Sequence, residues 1–310
     1  MTLGYSDLRR PEVLLGVCEE LATFMNGSSM RRVSQALIEL NFDQSGESLD
    51  ESDRQWLDTG LESAEPKLCW WAEQLQTLSD EGVEVIACVD ERFPVNLTLV
   101  HDGPPMLFVR GNLCNEKDRR AVAVVGTREA SQAGIDLAQE IAAGLVERHY
   151  TVVSGLAKGI DAAAHAATLN AGGRTIAVFG TPIDKTYPAA HASLARRIAK
   201  TGACVSQFLP RVRTGPWSFP ARNITCSGLS LATVVVEASA TSGARLQAEA
   251  ALAHGKRVFL VERLVTHQQW AKDMCDDSVN ATEVSDPSQI VEELEADLAV
   301  TADFDLFEFA

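Results

Sequence analysis

Four loops in this chain set glycines, hydroxyls and cations just ahead of helical segments, a combination suited to gripping phosphate oxygens. In the first, residues 122–125 run into Gly126-Thr127-Arg128, and a helix is expected from about Ser131. Gly126 permits a tight turn, Thr127 supplies a hydroxyl, and the helix beyond offers unpaired N–H groups and a partial positive charge. Arg128 adds a planar fork matched to phosphate; a plain β–α turn with a surface arginine fits the same residues. The second loop, Ser154-Gly155-Leu156-Ala157-Lys158-Gly159-Ile160-Asp161, repeats the arrangement before a helix over 162–171. The third ends in Gly180-Thr181-Pro182-Ile183-Asp184-Lys185-Thr186-Tyr187-Pro188, where Lys185 can meet a phosphate and Tyr187 either stacks on a ligand or packs the turn. The fourth carries Arg211, Arg213, Trp217 and Phe219, and Pro220-Ala221-Arg222-Asn223 then leads into a helix. Cations beside exposed aromatics are what a nucleic-acid single strand requires, with phosphates neutralised and bases stacked at about 1–3 kcal/mol each. A solvated basic loop is the alternative.

Bond-breaking chemistry finds little support. Neither G-x-x-x-x-G-K-[ST] nor G-x-G-x-x-G occurs, so P-loop hydrolysis and NAD binding lack their usual loops. Asp161 reads as a helix cap and His165, one turn on, as a locally bonded residue. Ser154, Asp161 and His165 could be assembled into a triad, but no other residue supports one. No catalytic residue, cofactor or metal site is expected.

The frame that positions these loops is written in the spacing of apolar residues. Residues 1–66 read as helical: Val13, Leu14, Val17, Leu21 and Phe24 follow Pro11 at helical spacing, Asn26-Gly27-Ser28-Ser29 is a stop and restart, and 30–40 is amphipathic. The polar, acidic stretch 43–53 reads as a loop. A third helix over 68–78 carries Trp70 and Trp71, read as packing residues because no basic residues interleave with them. From Gly82 onward, short apolar runs at 83–89, 106–109, 121–125, 151–153, 175–179, 203–205, 233–236 and 258–261 are interspersed with helical patterns. That pattern predicts an α/β fold, a Rossmann-like, doubly wound, mostly parallel sheet with an N-terminal helical region. Right-handed crossovers then gather the loops leaving the strands' carboxyl ends on one edge, where such sheets bind ligands. The expected divisions are an N-terminal helical region (1–66), a Rossmann-like domain (67–265) and a C-terminal extension (266–310). The extension holds a strand-like turn, a helix over 287–298 and the acidic-aromatic Asp303-Phe304-Asp305-Leu306-Phe307-Glu308-Phe309.

A net charge of −16 looks unfavourable for a polyanion, but the charge is segregated. Residues 121–265 hold 15 Lys and Arg against 9 Asp and Glu, and the rest of the chain holds 12 against 34. A basic core flanked by acidic segments is compatible with phosphate binding, which a uniformly acidic surface would oppose. Seven scattered cysteines, with no C-x-x-C pair, argue against a disulfide framework or zinc site and fit a reducing cytoplasm. No apolar run approaches the ~20 residues needed to cross a bilayer, and residues 1–10 lack the apolar core of a secretory signal. A cytoplasmic protein away from membranes is expected.

In order along the chain, these loops and their neighbours resemble the DNA-processing protein A (DprA/Smf) family. The resemblance rests on Asp90-Glu91-Arg92-Phe93-Pro94, Gly103-Pro104-Pro105 with 106–111, Gly126-Thr127-Arg128, the whole loop 153–161 with Ala164-His165, Gly172-Gly173-Arg174, Tyr187-Pro188, Phe219-Pro220-Ala221-Arg222-Asn223, Gly228-Leu229-Ser230 and Ser242-Gly243-Ala244. It covers about residues 68–262. It implies a non-catalytic, homodimeric protein that holds single-stranded DNA in a positive pocket and hands the strand to the RecA recombinase. Carried over residue by residue, Arg128, Lys158, Lys185, Phe219 and Arg222 become DNA contacts, with Gly126 and Thr127 shaping the phosphate nest. Ser154, Gly155 and Asn223 complete the expected site.

Two departures stand out. The family's Arg-Asn-Arg reads Arg222-Asn223-Ile224 here, one cation fewer. After the last strand the family's Pro-Gly turn and glycine- and serine-rich loop are replaced by Glu262-Arg263-Leu264-Val265-Thr266-His267-Gln268-Gln269-Trp270. A second expectation is a nucleotide-sensing module related to the lysine-decarboxylase-like (LOG) phosphoribohydrolases. Their Pro-Gly-Gly-x-Gly-Thr segment is missing from the equivalent 237–243, which speaks against hydrolysis but not against binding. The acidic-aromatic tail is expected to be an untethered terminus, a partner peptide, or a mimic folded over the pocket.

Overall fold

Pro11, with its fixed φ and missing N–H, opens α1 (Pro11–Leu21), whose Val13, Leu14, Leu15, Val17 and Cys18 are all buried. The computed structural model describes residues 3–21, 27–42, 48–210 and 212–307. Around α1 pack α2 (Gly27–Phe42), α3 (Glu51–Ala64) and α4 (Leu68–Asp80). The polar stretch read as a loop supplies the start of α3. Asp50 accepts a hydrogen bond from the Asp53 amide at 2.7 Å, and Glu51 and Asp53 sit where a helix N-terminus favours negative charge. Acidic residues that look like loop are therefore a cap and a first turn; residues 43–47 lie outside those described. In α4, Trp71 is buried and its indole donates to Glu19 Oε2 at 3.2 Å, so it packs helix on helix as expected, while Trp70 is 40% exposed.

The chain then enters one sheet with β1 (Val83–Ala87), the turn α5 (Val95–Thr98), β2 (Met106–Gly111) and the turn α6 (Asn115–Asp118). The repeating units follow: β3 (Ala121–Val125), α7 (Gln132–Glu147), β4 (Thr151–Ser154), α8 (Ile160–Asn170), β5 (Thr175–Val178), α9 (Ala192–Thr201), β6 (Ala203–Ser206), α10 (Ser218–Gly228), β7 (Ala232–Val235), α11 (Gly243–Ala253) and β8 (Arg257–Val261). Among the described residues the sheet has nine strands in the order β1-β2-β6-β5-β4-β3-β7-β8, with a last strand, β9 (Ala281–Val284), beside β8. The run from β6 to β9 is parallel; β2 lies antiparallel to both β6 and β1. Strands β3 to β7 are buried at every position, which is why they read as mostly apolar runs without polar alternation.

Progression reverses beside β3: the chain steps to β4 and β5 on one side and to β7 and β8 on the other. Right-handed crossovers consequently put α7 and α8, which pack together, on one face and α11 on the opposite face with α10. The point between β3 and β7 is where a doubly wound sheet opens a crevice.

Residues 266–310 contribute to the same sheet. After α12 (Glu262–His267) and α13 (Gln269–Asp277) comes β9, then α14 (Pro287–Phe307) against α7. Glu295 pairs with Arg120 just before β3, and Asp297 with Arg257 at the start of β8 at 3.1 Å. Midway along, α14 has thus already reached the strands' amino ends, and its last ten residues carry the chain about 15 Å further from the opposite edge. Through Phe307 the backbone leads the acidic-aromatic segment away from the crevice rather than over it; Glu308 to Ala310 lie outside the described residues.

Candidate nucleic-acid interface

At the carboxyl edge of β3, β4 and β7 a cleft of about 410 Å³ opens between the loop after β3, the loop after β4, α10 and the start of α11. Gly126, Thr127, Arg128, Gly155, Phe219, Arg222 and Asn223 all line it. Arg128 is exposed and its guanidinium lies 5.1 Å from the Phe219 ring centre, a cation–π contact that holds the fork over the mouth. The Tyr187 ring, 52% exposed, lies 5.7 Å from the same phenyl ring, so the half-buried Phe219 joins an exposed tyrosine and the Arg128 fork. Trp217, 40% exposed, sits edge-on to Phe208 at 5.7 Å.

The fourth loop is shorter than the sequence suggested, because α10 begins at Ser218 and Phe219 to Asn223 lie inside it. Pro220 is tolerated there because first-turn amides have no intrahelical partner. Arg222 is accordingly not a surface cation. It is only 7% exposed, donates through Nη1 to Val178 O at 2.8 Å, and donates through Nε to Asn223 Oδ1 at 3.2 Å. Asn223 in turn donates to Gly243 O at 3.0 Å, tying α10 to α11. At its far end α10 is clamped by Lys256, whose ammonium donates to Ser227 O and Gly228 O at 2.9 and 2.8 Å; burial pulls that amine down to about 7.

The amide nests expected to receive phosphate are occupied by the protein's own carboxylates. Asp161 is buried, and its Oδ2 accepts from the Gly155 and Ala157 amides at 3.1 and 3.3 Å. Burial pushes its carboxyl pKa up, against the pull of Arg222 and these amides. Glu237 does the same at α7: its Oε2 accepts from Ser131 N and Oγ at 3.0 and 3.1 Å, while Ser131 Oγ caps Gly134 N. The expectation of unpaired donors at these turns is therefore corrected. Ser154 is also no ligand residue, being fully buried with its hydroxyl on Val124 O at 2.7 Å. Lys158 and Lys185 are exposed on loops at this edge, outside the cleft lining; Arg211 lies outside the described residues.

The glycines matter where backbones touch. A Cβ on Gly155 would stand 1.6 Å from Arg222 Nη1, and Gly159, at φ +75°, would meet Thr127 O at 2.3 Å. Sequence reading missed the cleft's fourth wall, Ser239, Thr241, Ser242 and Gly243, where Ser242 caps α11 through the Ala244 amide at 3.2 Å. The signal was there: a strand, a hydroxyl-rich turn with a glycine, then a helix.

His165, fully buried below this edge, meets Thr175 Oγ1 at 2.7 Å, and Thr175 sends its own proton to Val152 O at 2.6 Å, so the ring's Nδ1 carries hydrogen. Burial lowers its pKa to about 3. The unfolded chain takes up this proton near pH 6.5 and the folded chain only near 3, so stability should rise with pH across that window and level off above it. Urea unfolding at stepped pH checks this; His165→Gln should flatten the slope, and an unchanged slope would contradict it.

The family model for DNA recombination-mediator protein A matches residues 84–295. Over 173 residues the chain is 40% identical to the DNA processing protein DprA of Streptococcus pneumoniae, covering 56% of this chain and 61% of that one. It is 36% identical over 217 residues to the protein Smf of Escherichia coli, covering 70% and 56%. The aligned part thus spans less than two thirds of each of these relatives' lengths. The X-ray structure of S. pneumoniae DprA superposes with a TM-score of 0.70 at 26% identity, covering 86% of this chain and 98% of that one. The Helicobacter pylori DprA structure, described for its single-stranded DNA binding mode, gives 0.61 at 22% identity, covering 69% and 96%, a likeness of fold. With the family model, the sequence relatives and the superposed fold in agreement, the chain belongs to the DNA recombination-mediator protein A family.

Proposed function

We propose that this protein binds single-stranded DNA as a recombination mediator, without bond chemistry of its own. The observation that carries the reading is the Arg128–Phe219 pair at the mouth of a cleft whose inner wall holds Arg222. A strand lying there meets a flat ring for a base and a fork for its phosphate. Lys158 and Lys185 extend the positive rim. The H. pylori relative's description as a single-stranded DNA binder supports the assignment. On the same family grounds the protein acts as a homodimer in the cytoplasm and passes its strand to a RecA recombinase. Its seven cysteines are unpaired, and among the described residues no helix is long and apolar enough to cross a membrane.

Oligo-dT titrated at several salt concentrations tests the reading. The affinity should fall with log[salt] at a slope of roughly −0.7 per phosphate contacted, and Arg128→Ala should weaken binding and reduce that slope by nearly one contact. Absence of oligonucleotide binding at low salt would overturn it. The cleft's 410 Å³ also suits a single nucleotide, which favours the nucleotide-sensor reading as the second choice; tight mononucleotide binding with no response to oligonucleotides would select it. Removing residues 303–310 should leave oligonucleotide affinity unchanged, because α14, as far as Phe307, leads the chain toward the opposite edge. Tighter binding after truncation would show that the tail reaches the cleft.

A further inference from the structure

A second, larger cleft, about 530 Å³, opens on the α7 side of the same crevice. Its floor is apolar, from Leu137, Val236, Val261 and Leu264, and α12 forms one wall. It shares Thr127, Glu129 and Ser239 with the DNA cleft, so the two meet across a saddle at the β3–β7 reversal. Its charged lining residues are Arg263 against Glu129 and Glu237, with His267 beside them, so it is not a cationic site. Such a lining does not attract a run of phosphates, which separates it from the cationic mouth held by Arg128. An apolar floor beneath an exposed guanidinium and a few hydrogen-bonding groups instead suits a flat, uncharged ring.

We propose that this cleft is a nucleoside pocket: a nucleotide whose phosphate lies in the DNA cleft reaches over Thr127 and Ser239 and buries its base against Leu137 and Leu264, under Arg263. This rests on the DNA-binding reading and extends it to one base of the strand. The shared chemistry is a nucleoside carrying a phosphate, and it has two sources, a nucleotide within a bound strand or a free nucleotide.

Ala133, exposed on the first turn of α7, lines only this second cleft, so Ala133→Trp fills it without touching the first. Arg263→Ser, also at an exposed position, removes the ring's cover without adding bulk. Binding of oligo-dC, oligo-dT and dAMP is measured for the wild type and both variants, with thermal melts confirming folding. For a strand source, both variants lower oligonucleotide affinity about tenfold, the loss of one stacked base, with the salt slope unchanged because phosphate contacts survive. For a free nucleotide, dAMP binds the wild type, both variants lose it, and the oligonucleotides are unaffected. If oligonucleotides bind and neither variant alters any of the three ligands, the nucleoside pocket is wrong and the DNA reading stands. If the wild type binds none of them, both fall together.

Discussion

Asp118→Ala is expected to lower the unfolding free energy by about 3–5 kcal/mol, the usual consequence of stranding one member of a buried ion pair. Asp118 is 5% exposed and Arg174 grips it with both arms of its fork, Nε to Oδ1 at 2.7 Å and Nη2 to Oδ2 at 2.8 Å. The same carboxylate accepts from the Cys114 amide at 2.7 Å and from Thr151 Oγ1 at 3.2 Å. It therefore ties the turn before β3 to the starts of β4 and β5. Removing it leaves the Cys114 amide without its acceptor and the Arg174 guanidinium, still bonded to the Thr201 and Asn112 carbonyls, without its counter-charge. Arg174→Ala should cost a similar amount, and the double variant much less than the sum, because the second removal takes away the charge that the first had stranded. Urea unfolding followed by circular dichroism gives all three values; a loss below about 1 kcal/mol for Asp118→Ala would mean that the pair behaves as a solvated one.

Gly155→Ala should abolish oligonucleotide binding more completely than removal of any single cation, although it changes no charge. The added methyl carbon would lie 1.6 Å from Arg222 Nη1 and 2.2 Å from its Cζ, so the guanidinium must leave. Its bonds to Val178 O and Asn223 go with it, and Asp161 loses the buried cation that offsets its desolvation. Overpacking of this kind costs about 1–3 kcal/mol in stability. Gly144→Ala in the last turn of α7 is the control: nothing lies within 4 Å of its Cβ, and it should stabilise the helix by up to about 1 kcal/mol without altering binding. Oligonucleotide binding by Gly155→Ala within threefold of wild type would show that Arg222 is not needed where it sits.

What the sequence made legible was whatever depends on local periodicity. Runs such as Ala121–Val125, apolar at every position, can only be strands covered on both faces, and their alternation with helices predicts the doubly wound sheet. Gly126, Arg128, Phe219 and Arg222 were readable as partners because parallel strands deliver their exits to one edge. Contacts between distant segments were not readable. That Asp161 and Glu237 fill the turns' amides depends on how β4 and β7 flank β3, which no spacing reports. Arg222 looks like a surface cation until the side-chain-free space at Gly155 is placed against it. Asp50 is ambiguous for a different reason, since an acidic polar run suits a loop and a helix cap equally until Leu57 and Leu61 find α1 to pack on.

Because Asp161 and Glu237 already answer the backbone donors at the crevice, the unliganded fold carries no unmet demand for a counter-ion there. Small anions such as sulfate, which bind best to vacant backbone donors, should thus compete poorly and leave the melting temperature almost unmoved. A nucleotide strand, if bound as proposed, would instead engage movable side chains such as Arg128. On the proposed reading, self-plugged turns are expected to make the protein respond weakly to free inorganic phosphate.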